Sequence, residues 1–193
     1  MMVPKPVHRF QGYAVVSADG LIADADGRMP DQLKFDADWD YFQAALDRAD
    51  VTLIGRATHE VAPNVKKRRR LVFSSRVQGM WQEDETTFWV DPTKTDPNGV
   101  ITEIVGPSAD VAVVGGQGVF DWVLSKPGFF SFHISLAHHV RIGSGRHIFR
   151  DAAGLEAAIS LLQGHGLPLS RQVWFDQEAG LELLVYEKAR GSQ

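Results

Sequence analysis

Short apolar runs of β-branched residues alternate along the chain with segments whose apolar side chains recur every three or four positions. The runs predict strands and the spaced segments predict helices. Strands are predicted over residues 8–16, 50–54, 71–73, 87–90, 111–114 and 129–136, helices over 36–49 and 119–124, and a terminal antiparallel hairpin over 172–175 and 181–186. Strands that alternate with helices favour an α/β domain with a mixed, mostly parallel sheet and the antiparallel hairpin at its edge.

Two segments leave the pattern open. Residues 100–105 fit either a strand or the start of a helix, and residues 155–162 fit a short helix or an irregular packed segment. Asp36 or Asp38 is expected to cap the helix over residues 36–49, because a carboxylate accepts hydrogen bonds from free N–H groups at a helix start.

Three predicted strands end in turns that suit a phosphorylated ligand. These turns are Gly55-Arg56-Ala57-Thr58, Ser74-Ser75-Arg76 and Gly115-Gly116-Gln117-Gly118. Ligands of parallel sheets bind beyond the carboxyl ends of the strands. A glycine turn that leads into a helix offers backbone N–H groups to an anion such as a pyrophosphate, and arginine offers a fork of donors to a phosphate.

Together the turns predict a dinucleotide laid across the sheet, with Ser75 and Arg76 on a ribose 2′-phosphate and therefore NADPH in preference to NADH. The common G-x-G-x-x-G fingerprint is absent. The predicted cofactor-binding residues are Gly55, Arg56, Thr58, Ser74, Ser75, Arg76, Gly115, Gly116, Gln117, Gly118 and Val119.

Composition narrows the remaining classes of function. The chain has 193 residues, which suits one domain over residues 1–193. Its net charge of −4 gives no general attraction to nucleic acid or to an anionic membrane. Cysteine is absent, so thiolate metal sites and cysteine nucleophiles are excluded, and the histidines have no spacing typical of a metal site. With no apolar run near the ~20 residues of a membrane span and no signal-peptide pattern, we expect a cytoplasmic protein.

Five short motifs in a fixed order resemble the dihydrofolate reductase-like superfamily. They are Ser17-Ala18-Asp19-Gly20-Leu21-Ile22-Ala23, Gly55-Arg56-Ala57-Thr58, Leu71-Val72-Phe73-Ser74-Ser75-Arg76, Val113-Val114-Gly115-Gly116 and Gly143-Ser144-Gly145-Arg146-His147-Ile148-Phe149. Their order and spacing agree with that superfamily over about residues 8–187. The resemblance implies a three-layer αβα fold, NADPH as cofactor, and hydride transfer to a small substrate.

Two branches of the superfamily compete. The first motif resembles the reductase domain of the riboflavin-biosynthesis deaminase-reductase, whose substrate is a phosphoribosylamino-pyrimidine. The D-x-x-x-F pattern of Asp38 and Phe42, with Met29-Pro30 before it, resembles the pterin site of dihydrofolate reductases. The deaminase half, whose zinc signature requires cysteines, is missing from this chain. A nucleotide-binding protein without turnover is the alternative from another class.

The candidate proton donors are Asp19 and Asp38. Asp19 could instead be a turn former beside Gly20, and Asp38 could be only the helix cap. We assign the substrate contacts to Val16, Trp39 and Phe120.

Two further features concern the surface. The basic run over residues 66–70 fits a solvated face, and a site for a substrate phosphate is the alternative. We expect a homodimer, because the riboflavin-type reductase domains that this chain resembles dimerise and an exposed terminal hairpin suits pairing at its edge.

Overall fold

A nine-stranded sheet runs through the computed structural model, which describes residues 7–189. The strands are β1 (Arg9–Ser17), β2 (Leu21–Asp24), β3 (Val51–Gly55), β4 (Arg70–Phe73), β5 (Met80–Gln82), β6 (Thr87–Val90), β7 (Asp110–Val113), β8 (Ser131–Ala137), β9 (Gly145–His147), β10 (Leu169–Asp176) and β11 (Leu181–Glu187). The helices are α1 (Asp36–Arg48), α2 (Arg56–Val61), α3 (Pro97–Val105), α4 (Gln117–Ser125) and α5 (Leu155–Gly164).

The sheet is mixed and mostly parallel, as the sequence predicts. Its strand order is β10-β11-β8-β1-β7-β3-β4-β6-β5. The six strands from β8 to β6 are mutually parallel, whereas β11, β10 and β5 are added by antiparallel pairing. The terminal hairpin β10–β11 lies at one edge, and β2 pairs with β9 in a separate two-stranded sheet that the sequence pattern did not predict.

The two open segments are both helical. Residues 100–105 belong to α3, which starts earlier, at Pro97, because the Asp96 side chain accepts a hydrogen bond from the Asn98 N–H and caps the helix. Residues 155–162 lie within α5. The cap predicted for α1 is wrong: Phe35 occupies that position without a side-chain hydrogen bond, and both aspartates lie inside the first turn.

One face of the sheet is covered by apolar side chains. Residues of α3, α4 and α5 pack there against Phe10, Val111 and Phe132 in one continuous core cluster. Gly12 is required in β1, because a Cβ at this position would clash with the ring of Phe132. Phe10, Val111 and Phe132 of the central strands therefore all point to this face.

The opposite face, beneath α1, is aromatic and polar. Tyr13 of β1 contacts Tyr41 and Phe42 of α1 and stacks on His133 of β8, with ring centroids 4.6 Å apart. Helices thus lie on both faces of the sheet, which gives the three layers. Over residues 7–189 no helix is long and apolar enough to cross a membrane.

Candidate functional site

The three turns of the predicted nucleotide site lie side by side. They follow β7, β3 and β4, which are neighbours in the sheet and run parallel. Their carboxyl ends therefore share one rim of the sheet, where ligands of such folds bind.

The turns after β3 and β7 approach each other closely. The Gly55 N–H donates a hydrogen bond to the Gly115 carbonyl at 3.0 Å, and a Cβ on Gly55 would lie 3.7 Å from the Gly116 Cα. Gly115 and Gly116 have φ angles of 132° and 84°, a region that side chains other than glycine rarely adopt. A side chain at these positions would strain the turn and narrow the space above it.

The amino terminus of α4 faces this rim. Gly116 precedes the helix without a side-chain capping bond, and the N–H groups of Val119 and Phe120 are the first to bond back to it. The N–H groups of Gln117 and Gly118 are left for an outside acceptor. Combined with the helix dipole, these donors suit a phosphate. Val119 is buried, and its side chain would contact a Cβ placed on Gly55.

The short helix α2 begins directly after Gly55. Arg56 donates two hydrogen bonds to the Glu60 carboxylate, at 2.7 and 2.9 Å. The pair is partly exposed, and such pairs contribute little to stability, so Arg56 can exchange this partner for a phosphate at small cost. Thr58 lies in the first turn of the same helix, close to the rim.

The turn after β4 is fixed by Ser74. Its buried side-chain oxygen accepts a hydrogen bond from the Arg76 N–H at 3.2 Å, and its own N–H donates to the Val90 carbonyl. Ser74 therefore shapes the turn from inside. Ser75 and Arg76 are exposed and free to contact a ligand.

A cleft beside this turn was missed at the level of sequence. It measures about 270 Å³ and lies between α4 and the loop over residues 92–97, with Lys94, Trp122 and Lys126 in its lining. The Trp122 ring contacts Phe73, the residue before Ser74, at 5.2 Å between centroids. The sequence pattern predicts core or interface for Trp122, because helical spacing alone does not distinguish a core tryptophan from one that lines a cleft.

Trp122 also carries a donor that is buried and unused. Its buried Nε1 has no hydrogen-bond partner among the described residues. An orphaned buried donor is uncommon and costs free energy until an acceptor arrives. The aromatic ring of Trp122 and the nearby lysines of the cleft suit a nucleotide base and a phosphate.

Asp19 ties two loops together. Its carboxylate accepts hydrogen bonds from the Ser17 hydroxyl at 2.6 Å and from the N–H groups of Ile142 and Gly143 at 3.1 and 2.8 Å. Burial opposes ionisation, but these hydrogen bonds outweigh it and lower the pKa of Asp19 to about 2. Asp19 is therefore ionised and occupied near neutral pH, which argues against it as a proton donor.

Asp38 is in the opposite situation. It lies in the first turn of α1 and faces β8. Burial raises the pKa of its carboxyl, and the Ser135 hydroxyl only partly offsets that rise. A carboxyl that keeps its proton to higher pH can donate it to a substrate, so Asp38 is the stronger of the two candidates.

Two of the three predicted substrate contacts need correction. Val16 and Phe120 are 0% and 1% exposed within the apolar core, so neither side chain can touch a substrate in this structure. The alternation of a strand does not reveal which face a helix covers, and Val16 points to the side covered by α4. Trp39 is 58% exposed on the first turn of α1 beside Phe42, and its contact with substrate stays a prediction.

The basic run over residues 66–70 mainly fastens α1. Lys66 and Arg68 pair with Asp47 of that helix. Arg70 is nearly buried and donates to the Ala62 carbonyl at 2.6 Å. These contacts account for three of the five basic residues without a phosphate ligand, and Lys67 and Arg69 are exposed to solvent.

Comparison with known proteins adds the fold. No protein-family model matches the sequence, and no curated protein matches it. Among solved structures, the chain is similar to a protein assigned to riboflavin biosynthesis from Shewanella sp. PV-4, with a TM-score of 0.65 and 18% identity over 94% of this chain and 99% of the other. It is also similar to dihydrofolate reductase from Enterococcus faecalis in complex with NADP(H) and RAB-propyl, with a TM-score of 0.63 and 16% identity over 93% of this chain and 95% of the other.

The chain therefore has the dihydrofolate reductase-like α/β fold that its sequence motifs predicted. Identities of 16–18% extend this conclusion to the fold alone.

Proposed function

We propose that this protein is an NADPH-dependent reductase that transfers a hydride to a small pyrimidine- or pterin-like substrate, most similar in type to the riboflavin-biosynthesis reductase. The observation that carries the proposal is the row of three turns on one rim of the sheet whose donors suit an anion. The two structural neighbours support it, because one is assigned to riboflavin biosynthesis and the other holds NADP(H). The cysteine-free sequence also suits the cytoplasm, which we propose as its location.

In this proposal each turn on the rim binds a different part of the cofactor. The Gly115–Gly118 turn and the start of α4 would bind the pyrophosphate, with Arg56 and Thr58 beside it. Ser75 and Arg76 would bind the ribose 2′-phosphate. The cleft lined by Trp122 and Lys94 would receive the adenine end.

Bound NADPH would supply the hydride. The protein would hold the substrate against it and provide a proton. Asp38 is the donor that we favour, because partial burial raises the pKa of its carboxyl, which keeps a proton to higher pH than an ordinary aspartate. Asp19 would serve the site indirectly, by holding the loop that contains Ile142 and Gly143.

The direct test measures NADPH binding by fluorescence and NADPH oxidation with two substrates, the ribosylaminopyrimidine phosphate and dihydrofolate. Turnover of the first supports the riboflavin-type reaction. Turnover of the second supports the alternative that the Asp38 and Phe42 pattern favours, a dihydrofolate reductase. Saturable binding with no turnover on either substrate supports a nucleotide-binding protein without catalysis. No saturable binding contradicts the proposal.

Cofactor preference provides a matched comparison. Arg76→Gln should weaken NADPH binding about tenfold, because an arginine–phosphate hydrogen bond is lost, and should leave NADH binding nearly unchanged. Arg69→Gln is the control, since Arg69 is an exposed arginine of the basic run. Equal weakening of both cofactors in Arg76→Gln would remove the assignment of the 2′-phosphate to this turn.

We also propose that two copies of the chain pair through β10. This edge strand is exposed over most of its length and carries Leu169, Val173 and Trp174 at 42–43% exposure. A long apolar edge strand invites pairing with another strand. Light scattering should give twice the chain mass, and Val173→Lys should shift the protein to the monomer; a monomeric mass for the unaltered protein would refute the dimer.

A further inference from the structure

Helix α1 meets β8 through two polar pairs that lie one above the other. Asp38 and Tyr41 are three residues apart and share the face of α1 that points at the sheet. His133 and Ser135 are two residues apart and share one side of β8. Tyr41 and His133 are joined by a 2.6 Å hydrogen bond between Oη and Nδ1, and Asp38 lies beside Ser135.

One arrangement of protons satisfies every hydrogen-bonding group around His133. Arg171 of β10 reaches the Tyr41 hydroxyl at 3.4 Å, and a guanidinium can only donate. The Tyr41 oxygen accepts from Arg171, and in this arrangement it donates its own proton to His133 Nδ1. The other ring nitrogen then carries the hydrogen and donates to the Ser131 side-chain oxygen at 3.0 Å. Both nitrogens are satisfied in one neutral tautomer.

The surroundings keep this imidazole neutral. Burial, followed by the charges of Arg171 and Arg48, lowers the pKa of His133 to about 4. Three elements surround the ring. Tyr13 lies on β1 and Arg171 on β10, while α1 contributes Tyr41, Arg48 and, one turn before Tyr41, Asp38. Within residues 7–189, no carboxylate hydrogen bonds to it.

We propose that Tyr41 and His133 are positioning residues for Asp38: their uncharged hydrogen bond fixes how deeply the first turn of α1 sits on β8, and so keeps the Asp38 carboxyl shielded beside Ser135. The significance of this arrangement for catalysis rests on the proposed function, in which Asp38 supplies the proton. The physical arrangement itself concerns only α1, β8 and β10.

The experiment is a pH titration of the aspartate carboxyl carbons by NMR on protein labelled with ¹³C at that position, with Asp38→Asn to assign the signal. Tyr41→Phe removes one hydroxyl and keeps the ring. Its Asp38 midpoint should fall by about half a pH unit or more toward the ordinary value, because water reaches the carboxyl when the helix turn loosens. Tyr13→Phe is the matched control, since the Tyr13 hydroxyl donates to Gln11 at 3.2 Å and not to the pair; its midpoint should stay where it is.

His133→Gln provides the rescue. A glutamine amide can accept from Tyr41 and donate to Ser131 without charge, so the Asp38 midpoint should match that of the unaltered protein. An unchanged midpoint in folded Tyr41→Phe, or an equal fall in Tyr13→Phe, would overturn the proposal. A fall in His133→Gln as large as in Tyr41→Phe would also contradict it. Because the titration needs neither cofactor nor substrate, a protein that fails to bind NADPH can still confirm or refute the role of the pair.

Discussion

Two aspartates close to the same end of the sheet have been driven in opposite directions by their surroundings. Asp19 receives hydrogen bonds from Ser17 and from two backbone N–H groups of a distant loop, and its pKa falls to about 2. Asp38 is shielded between α1, to which it belongs, and β8, where Ser135 is its partner, and its pKa rises. The residue type alone therefore does not determine the pKa of these two carboxyl groups. The number of donors aimed at the carboxyl decides whether it fastens a loop or holds a proton.

The largest difference between the two aspartates is expected in the rate of turnover. Asp38→Asn should lower the rate constant kcat by about 10²–10⁴-fold, the range expected when a general acid is removed. NADPH binding should not change, because Asp38 lies outside the three turns. Steady-state rates and NADPH fluorescence titration measure the two effects. Turnover that survives in Asp38→Asn would transfer the proton donor to another group.

The same variant should not be destabilised near neutral pH. A carboxyl whose pKa is raised in the folded state lowers stability as pH rises past its ordinary value, because the folded protein resists releasing the proton. An uncharged amide removes that effect. Urea unfolding at neutral pH should therefore give Asp38→Asn a stability equal to or above that of the unaltered protein.

The sequence predicts those parts of the site that depend on neighbouring residues and misses those that depend on distant ones. The turns that contain Gly55, Arg76 and Gly116 follow directly from strand and glycine patterns, and alternation of strands and helices puts them on one rim. The partners of the two aspartates are not local. Ile142 and Gly143 are 123 and 124 residues from Asp19, so nothing in the Ser17–Ala23 motif reveals that Asp19 is already occupied.

The errors have the same origin. Val16 was assigned to the substrate, yet its side chain points into the core. Trp122 does pack against the core, as predicted, but helical periodicity does not show that residues 92–96 and the start of α3 leave a cleft beside it. Both outcomes depend on which neighbour packs against a given face, and that information is spread over the whole chain.

The neutral state of His133, which lies beneath the helix that carries Asp38, can be tested through the pH dependence of stability. Its folded pKa of about 4 lies below the ordinary 6.5, so its contribution to stability is present above pH 6.5 and is lost as pH falls toward 4. A shift of this size corresponds to about 3 kcal/mol. Urea unfolding between these two pH values should show the loss in the unaltered protein and a much flatter profile in His133→Gln. Parallel profiles would mean that the ring is not held neutral beneath α1.

The smallest expected effect is a loss of stability when Asp19 is replaced. Asp19→Asn keeps the shape of the side chain but loses the charge that the Ser17 hydroxyl and the two N–H groups of the distant loop favour. The expected loss is about 1–2 kcal/mol at neutral pH, below the full value of charge-assisted hydrogen bonds because water reaches part of the group. Because the folded pKa is lowered, this stability is present above the ordinary value of 3.8 and disappears as pH falls toward 2. The two proteins should therefore differ in urea at neutral pH and converge near the acid limit of folding. If Asp19→Asn instead leaves stability unchanged while abolishing turnover, the two aspartates must exchange roles.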